Sequence, residues 1–117
     1  MNKKNNNVLI TGAGKRIGAS IAASLAADNW NIALHYNTSK KETYKLSSQL
    51  EKKFNIKTVC VKADLSDLTQ VKNIISTASE KLGNINCLIN NAASFEYDSI
   101  SSLSSDSWDL HLSLIHI

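Results

Sequence analysis

The chain has no proline, two cysteines, four glycines and few aromatic residues, which make up 6% of the sequence. The missing proline carries no functional reading. The thiols, Cys60 and Cys87, each sit inside an apolar β-like run, Val59-Cys60-Val61 and Cys87-Leu88-Ile89. They show no metal-ligand spacing and form no disulfide framework, so buried free thiols in a reducing compartment are expected. No apolar run approaches membrane-spanning length. Met1 to Asn7 is polar, with two lysines and no apolar core, unlike a signal peptide. A cytoplasmic protein with no membrane partner is the expectation. Charge of one sign is also scarce. The net charge is +3, and the basic residues are scattered among carboxylates without forming a stripe, which argues against a nucleic-acid partner. At 117 residues, 43% of them hydrophobic and 20% charged, the chain holds at most one small globular domain.

What is present centres on Val8-Leu9-Ile10-Thr11-Gly12-Ala13-Gly14-Lys15-Arg16-Ile17-Gly18. A run of β-formers meets a glycine-rich turn, which opens into an alanine-rich helical pattern. Glycines let a backbone approach an anion closely, and the free N–H groups of a first helical turn point at it with the positive end of the dipole. Lys15 and Arg16 add two cations beside the turn. The same glycines would also serve a plain strand-to-helix turn. A P-loop phosphate binder is a rival reading, but the turn lacks the Gly-Lys-Ser/Thr ending that metal-bound nucleotide hydrolysis needs, because Lys15 is followed by Arg16 and Ile17.

Strand and helix patterns alternate along the chain. Strands are expected at Val8–Thr11, Asn31–Tyr36, Lys57–Lys62 and Asn86–Asn90. Helices are expected at Arg16–Asp28, where Ile17, Ile21 and Leu25 recur at helical spacing, and at Lys40–Phe54, where Leu46 and Leu50 share a face. A third, capped by Ser66 or Asp67, runs to about Leu82 with Val71, Ile74, Ile75 and Ala78 facing inward, and ends at Gly83-Asn84. A serine-rich connection, Ser99 to Ser107, leads to a fourth helix starting near Trp108. Continuous apolar runs and strand–helix alternation imply a parallel sheet with helices on both faces and right-handed crossovers, an α/β fold.

In such sheets ligands lie at the carboxyl ends of the strands. After the second strand come His35, Tyr36, Asn37 and Ser39, with no carboxylate between Asn31 and Ser39. A carboxylate there would accept from the ribose hydroxyls of NAD, whereas donors with Lys15 and Arg16 nearby favour the phosphorylated cofactor, NADP. After the third strand, Asp64 offers an acceptor for an adenine amino group with Leu65 against the ring, or else a second cap. After the fourth, the small residues of Asn90-Asn91-Ala92-Ala93 would let a ribose and nicotinamide lie close to the chain, or form an asparagine-rich turn.

Thr11 and Gly12 with Gly18, then Asp64-Leu65, then Asn90-Asn91-Ala92, in this order and at these separations, resemble the short-chain dehydrogenase/reductase family from Asn7 to about Leu114. The resemblance implies a Rossmann-type doubly wound parallel sheet, here incomplete with about four strands. Arg16 stands where the family usually has glycine. With His35-Tyr36-Asn37-Thr38-Ser39 and Asn91-Ala92-Ala93-Ser94-Phe95, that variant is similar to the pteridine reductase and dihydromonapterin reductase branch. The resemblance implies NADP contacts from Gly12, Lys15, Arg16, Ile17, Gly18, His35, Tyr36, Asn37 and Ser39, and further contacts from Asp64, Leu65, Asn91, Ala92 and Ala93. Phe95 matches an aromatic that stacks a pterin, or serves as a core or loop aromatic; Ala93 stands where pteridine reductases often carry serine.

The family's catalytic serine and its Tyr-x-x-x-Lys pair have no counterpart in this sequence. Tyr36 to Lys40 fits the spacing but falls in the cofactor loop; Tyr44 and Tyr97 are followed four residues on by serines. Ile115 stands where the family's relay asparagine is expected, so the sequence reads as a truncated single domain with a foreign tail. Two readings stand together. The whole protein is an NADP-dependent reductase of a carbonyl or pterin, a homo-tetramer or dimer; the chain itself is a non-catalytic dinucleotide-binding fragment of poor solubility.

Overall fold

The computed structural model describes residues 6–14 and 16–91. Lys15, Ala92, Ala93 and Phe95, the serine-rich connection and the helix expected near Trp108 lie outside the described residues.

The elements alternate as the sequence implies: β1 Asn7–Ile10, α1 Arg16–Ala27, β2 Asn31–Tyr36, α2 Lys40–Lys53, β3 Thr58–Lys62, α3 Leu68–Leu82 and β4 Cys87–Ile89. The four strands form one parallel sheet in the order β3-β2-β1-β4. The chain starts in the middle, adds two strands on one side, then crosses to the other side of β1. That reversal is the switch point at which α/β sheets bind ligands. Register runs Val8 to Ile32 and Ile10 to Leu34 on one side of β1, and Val8 to Cys87 and Ile10 to Ile89 on the other.

Residues along a strand alternate faces, and both faces are covered. Val8, Ile10, Ile32, Leu34, Cys87 and Ile89 pack with Ala22 and Ala26 of α1 and Leu50 of α2. Leu9, Ala33, Val61 and Leu88 pack on the other face with Val71, Ile74, Ile75, Ala78 and Leu82 of α3. Asp67 caps α3, its carboxylate accepting from the Thr69 N–H at 3.0 Å.

Helix α1 differs from the expectation drawn from Ile17, Ile21 and Leu25. Its buried residues are Gly18, Ala22 and Ala26, one turn apart, while Ile17 is 68% exposed and Ile21 and Leu25 flank the core. Small side chains let the helix axis come close to the sheet, and the larger ones are displaced to its sides. The helix closes with Asn29 at φ 67°, so that the Trp30 N–H reaches the Leu25 carbonyl and the Asn29 N–H that of Ala26. Ser39 occupies the N-cap position of α2, yet its side chain makes no capping bond; its carbonyl accepts from the N–H and the hydroxyl of Thr43 instead. Both cysteines are free, and burial pushes both thiols up.

Candidate dinucleotide-binding site

The glycine turn is built by packing from three sides. A Cβ at Gly18 would meet the Gly12 carbonyl oxygen at 2.5 Å and Asn91 Nδ2 at 2.8 Å, so no side chain fits where α1 leaves the turn. A Cβ at Gly14 would collide with Thr43 Oγ1 of α2. From β4, the Asn91 N–H donates to Thr11 Oγ1 at 2.8 Å, and Asn91 Nδ2 donates to the Gly12 carbonyl at 3.2 Å. From β2, the His35 carbonyl accepts from the Ala13 N–H at 2.9 Å, and the His35 ring accepts from the Gly12 N–H at 3.0 Å.

This turn forms one wall of a cleft of about 990 Å³ at the carboxyl edge of the sheet, lined by Gly14, Arg16, Ile17, Ser20, Ile21, Ser39, Glu42 and Asn91. The size suits a ligand of nucleotide scale. Arg16 supplies a cation at the start of α1, Ser39 a hydroxyl at the start of α2, and exposed Ile17 an apolar surface. Among the described residues no group of three or more His, Cys, Asp or Glu is placed to hold a metal. No described helix is long and apolar enough to cross a membrane.

The expected site residues divide into three sets. Arg16, Ile17, Ser39 and Asn91 line the cleft, and Gly12 and Gly18 shape the turn beside it. Asn37 and Asp64 are exposed and do not line it. Asp64 Oδ1 accepts from both the hydroxyl and the N–H of Ser66, and these bonds hold its carboxyl below the usual carboxylate range. The charged form is thereby favoured, and Oδ2 is left for a further donor. The third set turns inward. His35 is 2% exposed, Tyr36 6% and Leu65 3%. All three were expected among the cofactor contacts, Leu65 with its side chain against the adenine ring. Leu65 instead belongs to the core under α3, and the Tyr36 ring stands edge-on to Tyr44 at 6.0 Å. Both His35 ring nitrogens are engaged within the protein: Nδ1 as above, and Nε2–H donating to the Ala63 carbonyl at 2.9 Å.

Three lining residues were not anticipated, Ser20, Ile21 and Glu42; Gly14 belongs to the glycine turn already singled out in the sequence. Two had a signal. Ser20 follows Arg16 by one helical turn, on the same side of α1. Ser39-x-x-Glu42 is the pattern of a capping box, which ties Glu42 to the position of Ser39. Thr43, fully buried against Gly14, gave none.

A parallel sheet with a glycine turn, a helix amino end and a cleft at the switch point defines the Rossmann class of nucleotide-binding folds. The family model described as short chain dehydrogenase matches residues 6–114, and the chain belongs to that family. It is 28% identical over 107 residues to the 3-oxoacyl-[acyl-carrier-protein] reductase FabG of Staphylococcus aureus, a match covering 92% of this chain and 43% of that protein. The chain thus spans less than half the length of this relative. Among solved structures it is similar to FolM alternative dihydrofolate reductase 1 from Brucella canis complexed with NADP, at TM-score 0.71 and 33% identity, covering 79% of this chain and 36% of that one. A blue fluorescent protein from a metagenomic library, in complex with NADPH, gives TM-score 0.72 and 34% identity over 78% of this chain and 37% of that one.

Proposed function

We propose that this chain is the NADP-binding part of a short-chain reductase, the whole protein reducing a carbonyl or a pterin. The observation that carries the reading is the cleft wall itself, where Arg16 and Ser39 converge from two helix starts beside a turn that no side chain can enter at Gly18. The residues fit a dinucleotide. Arg16 and Ser39 would hold the 2′-phosphate, with Lys15 and Asn37 beside them. Asp64 would accept from the adenine amino group. Asn91, Ala92 and Ala93 would line the nicotinamide ribose. Bound there, NADPH supplies a hydride.

Leu65, Tyr36 and His35 contribute through the core and the backbone, their side chains being spent inside the protein. The likeness to FolM supports the pterin reading, with Phe95 as the stacking residue, and the likeness to FabG supports a carbonyl. The chain by itself would bind and not turn over. Its single Tyr-x-x-x-Lys spacing, Tyr36 to Lys40, has a buried ring at its head, unsuited to giving a proton to a substrate.

Titration of the purified chain with NADPH and with NADH, followed by nicotinamide fluorescence and by thermal melting, tests the reading. NADPH should bind at least about tenfold more tightly, the worth of one charge-assisted hydrogen bond. Equal affinity, or preference for NADH, would overturn the phosphate assignment.

A further inference from the structure

His35 is a buried ionisable group at the carboxyl edge whose side chain the reading above leaves without a role at the cofactor. Its position is unusual in what it joins. Nδ1 accepts from a backbone N–H, so that nitrogen carries no proton, and the proton must sit on Nε2, where the Ala63 carbonyl takes it. The ring is therefore neutral and fixed in one tautomer. It ties the end of β1 to the end of β3 across β2, its own strand. Asn91 holds the carbonyl of the same Gly12 from the β4 side. Gly12 is thus held at both its N–H and its carbonyl.

Two successive amides, Gly12 and Ala13, are drawn sideways into His35, the first by the ring and the second by its carbonyl. An anion in the cleft therefore meets the amides further along, at the start of α1. Only the Gly12 bond depends on the side chain. Without an acceptor there, the Gly12 N–H is free to rotate toward the cleft and take a phosphate oxygen or water, and the donors meant for the phosphate move with it.

We infer that His35 is a positioning residue for the cofactor, acting through Gly12 to set which amides of the glycine turn face the phosphate. The inference rests on the NADP reading above. Two amide side chains separate positioning from mere structural support. Asn places its Oδ1 near the position of Nδ1 and keeps an acceptor for Gly12. Gln places its amide near Nε2, so it keeps a donor for Ala63 and loses the Gly12 acceptor.

The experiment compares the full wild-type chain with His35→Asn and His35→Gln by NADPH titration and by melting without cofactor. Nitrogen-15 NMR of the wild-type imidazole is recorded alongside. His35→Asn should bind NADPH within about threefold of wild type and His35→Gln about tenfold more weakly, even where the two melt at similar temperatures. The wild-type spectrum should show a proton on Nε2 alone. Equal losses of affinity in both variants would overturn the positioning role, as would a wild-type spectrum with the proton on Nδ1, a measurement that stands even if the variants do not fold. If the wild-type chain binds no NADPH, the cofactor reading falls and this role falls with it, a result distinct from wild-type binding that both variants retain.

Discussion

The two ends of the sheet are both sealed by polar side chains, and to opposite effect. At the amino ends of the strands four asparagines bond to one another's chain. Asn7 Nδ2 donates to the Asn84 carbonyl at 2.9 Å, and Asn86 Oδ1 accepts from the Asn7 N–H at 3.0 Å. Asn31 Nδ2 donates to Asn7 Oδ1 at 3.1 Å, and Asn31 Oδ1 accepts from the Lys57 N–H at 2.9 Å. All of these donors and acceptors are consumed in joining β1, β2, and the approaches to β3 and β4. At the carboxyl ends Thr11, His35 and Asn91 do similar bonding, but they use it to hold a turn open beside a cleft. One end turns its hydrogen bonds inward and stops there. The other turns them inward to leave a surface for a ligand. Substitutions should therefore separate: those at the amino end cost stability alone, and those at the carboxyl end cost binding.

The strongest break comes at Gly18, where both kinds of loss should coincide. Gly18→Val drives two branches into the Gly12 carbonyl and Asn91, and should abolish NADPH binding while lowering stability by about 3 kcal/mol or more in urea titration. Next is Asn7→Ala. It strips the partner from the Asn84 carbonyl and from Asn31, and should cost about 1–3 kcal/mol with NADPH affinity unchanged within twofold. A large change in affinity would show that the two ends are coupled.

Acid should separate the ends further. Burial pushes the His35 pKa below its ordinary value, against the opposing pull of the Ala63 bond. The unfolded chain takes up a proton near the usual pH of about 6.5, and the folded chain does not. Stability is thus present above that pH and lost as pH falls below it, by at most about 1.4 kcal/mol per pH unit, until the folded ring protonates. His35→Asn should flatten the slope in urea titrations between pH 7 and pH 5. The smallest effect belongs to Glu42, whose carboxylate shares the cleft with Arg16 and Ser39. Glu42→Gln should tighten NADPH about two- to threefold without altering the melting temperature, by removing a like charge from the region of the phosphate.

Much of this was legible in the sequence because it rests on local rules. Continuous apolar runs marked strands buried on both faces, and the glycine turn, Asp67 and Gly83 marked where elements change. Arg16, Ile17, Ser39 and Asn91 were legible as residues at the cleft because they sit at or beside the strand-to-helix connections that a parallel sheet must place at one edge. The directions of His35, Tyr36 and Leu65 were not. They follow from strand parity and from which core lies beneath: His35 shares its side of β2 with Ala33, in the core under α3, while Leu34 faces the opposite core. A contact list by resemblance carries positions and not side-chain directions. Glu42 and Thr43 were missed for a related reason. Both lie within an ordinary charged amphipathic helix; Glu42 could be tied to the site only through its spacing from Ser39, and Thr43 only through the packing of α2 against the glycine turn.

The contact between Gly14 and Thr43 bears on how this sequence can change over generations. With the threonine hydroxyl already crowding the place of a Cβ at position 14, that position cannot gain a side chain while Thr43 stays. A side chain can enter at 14 only in a lineage that has first given up the hydroxyl at 43. That loss also removes a bond to the Ser39 carbonyl and loosens the first turn of α2. The glycine turn and the loop proposed to choose the cofactor are therefore inherited together, and a lineage that changes one is led to revise the other.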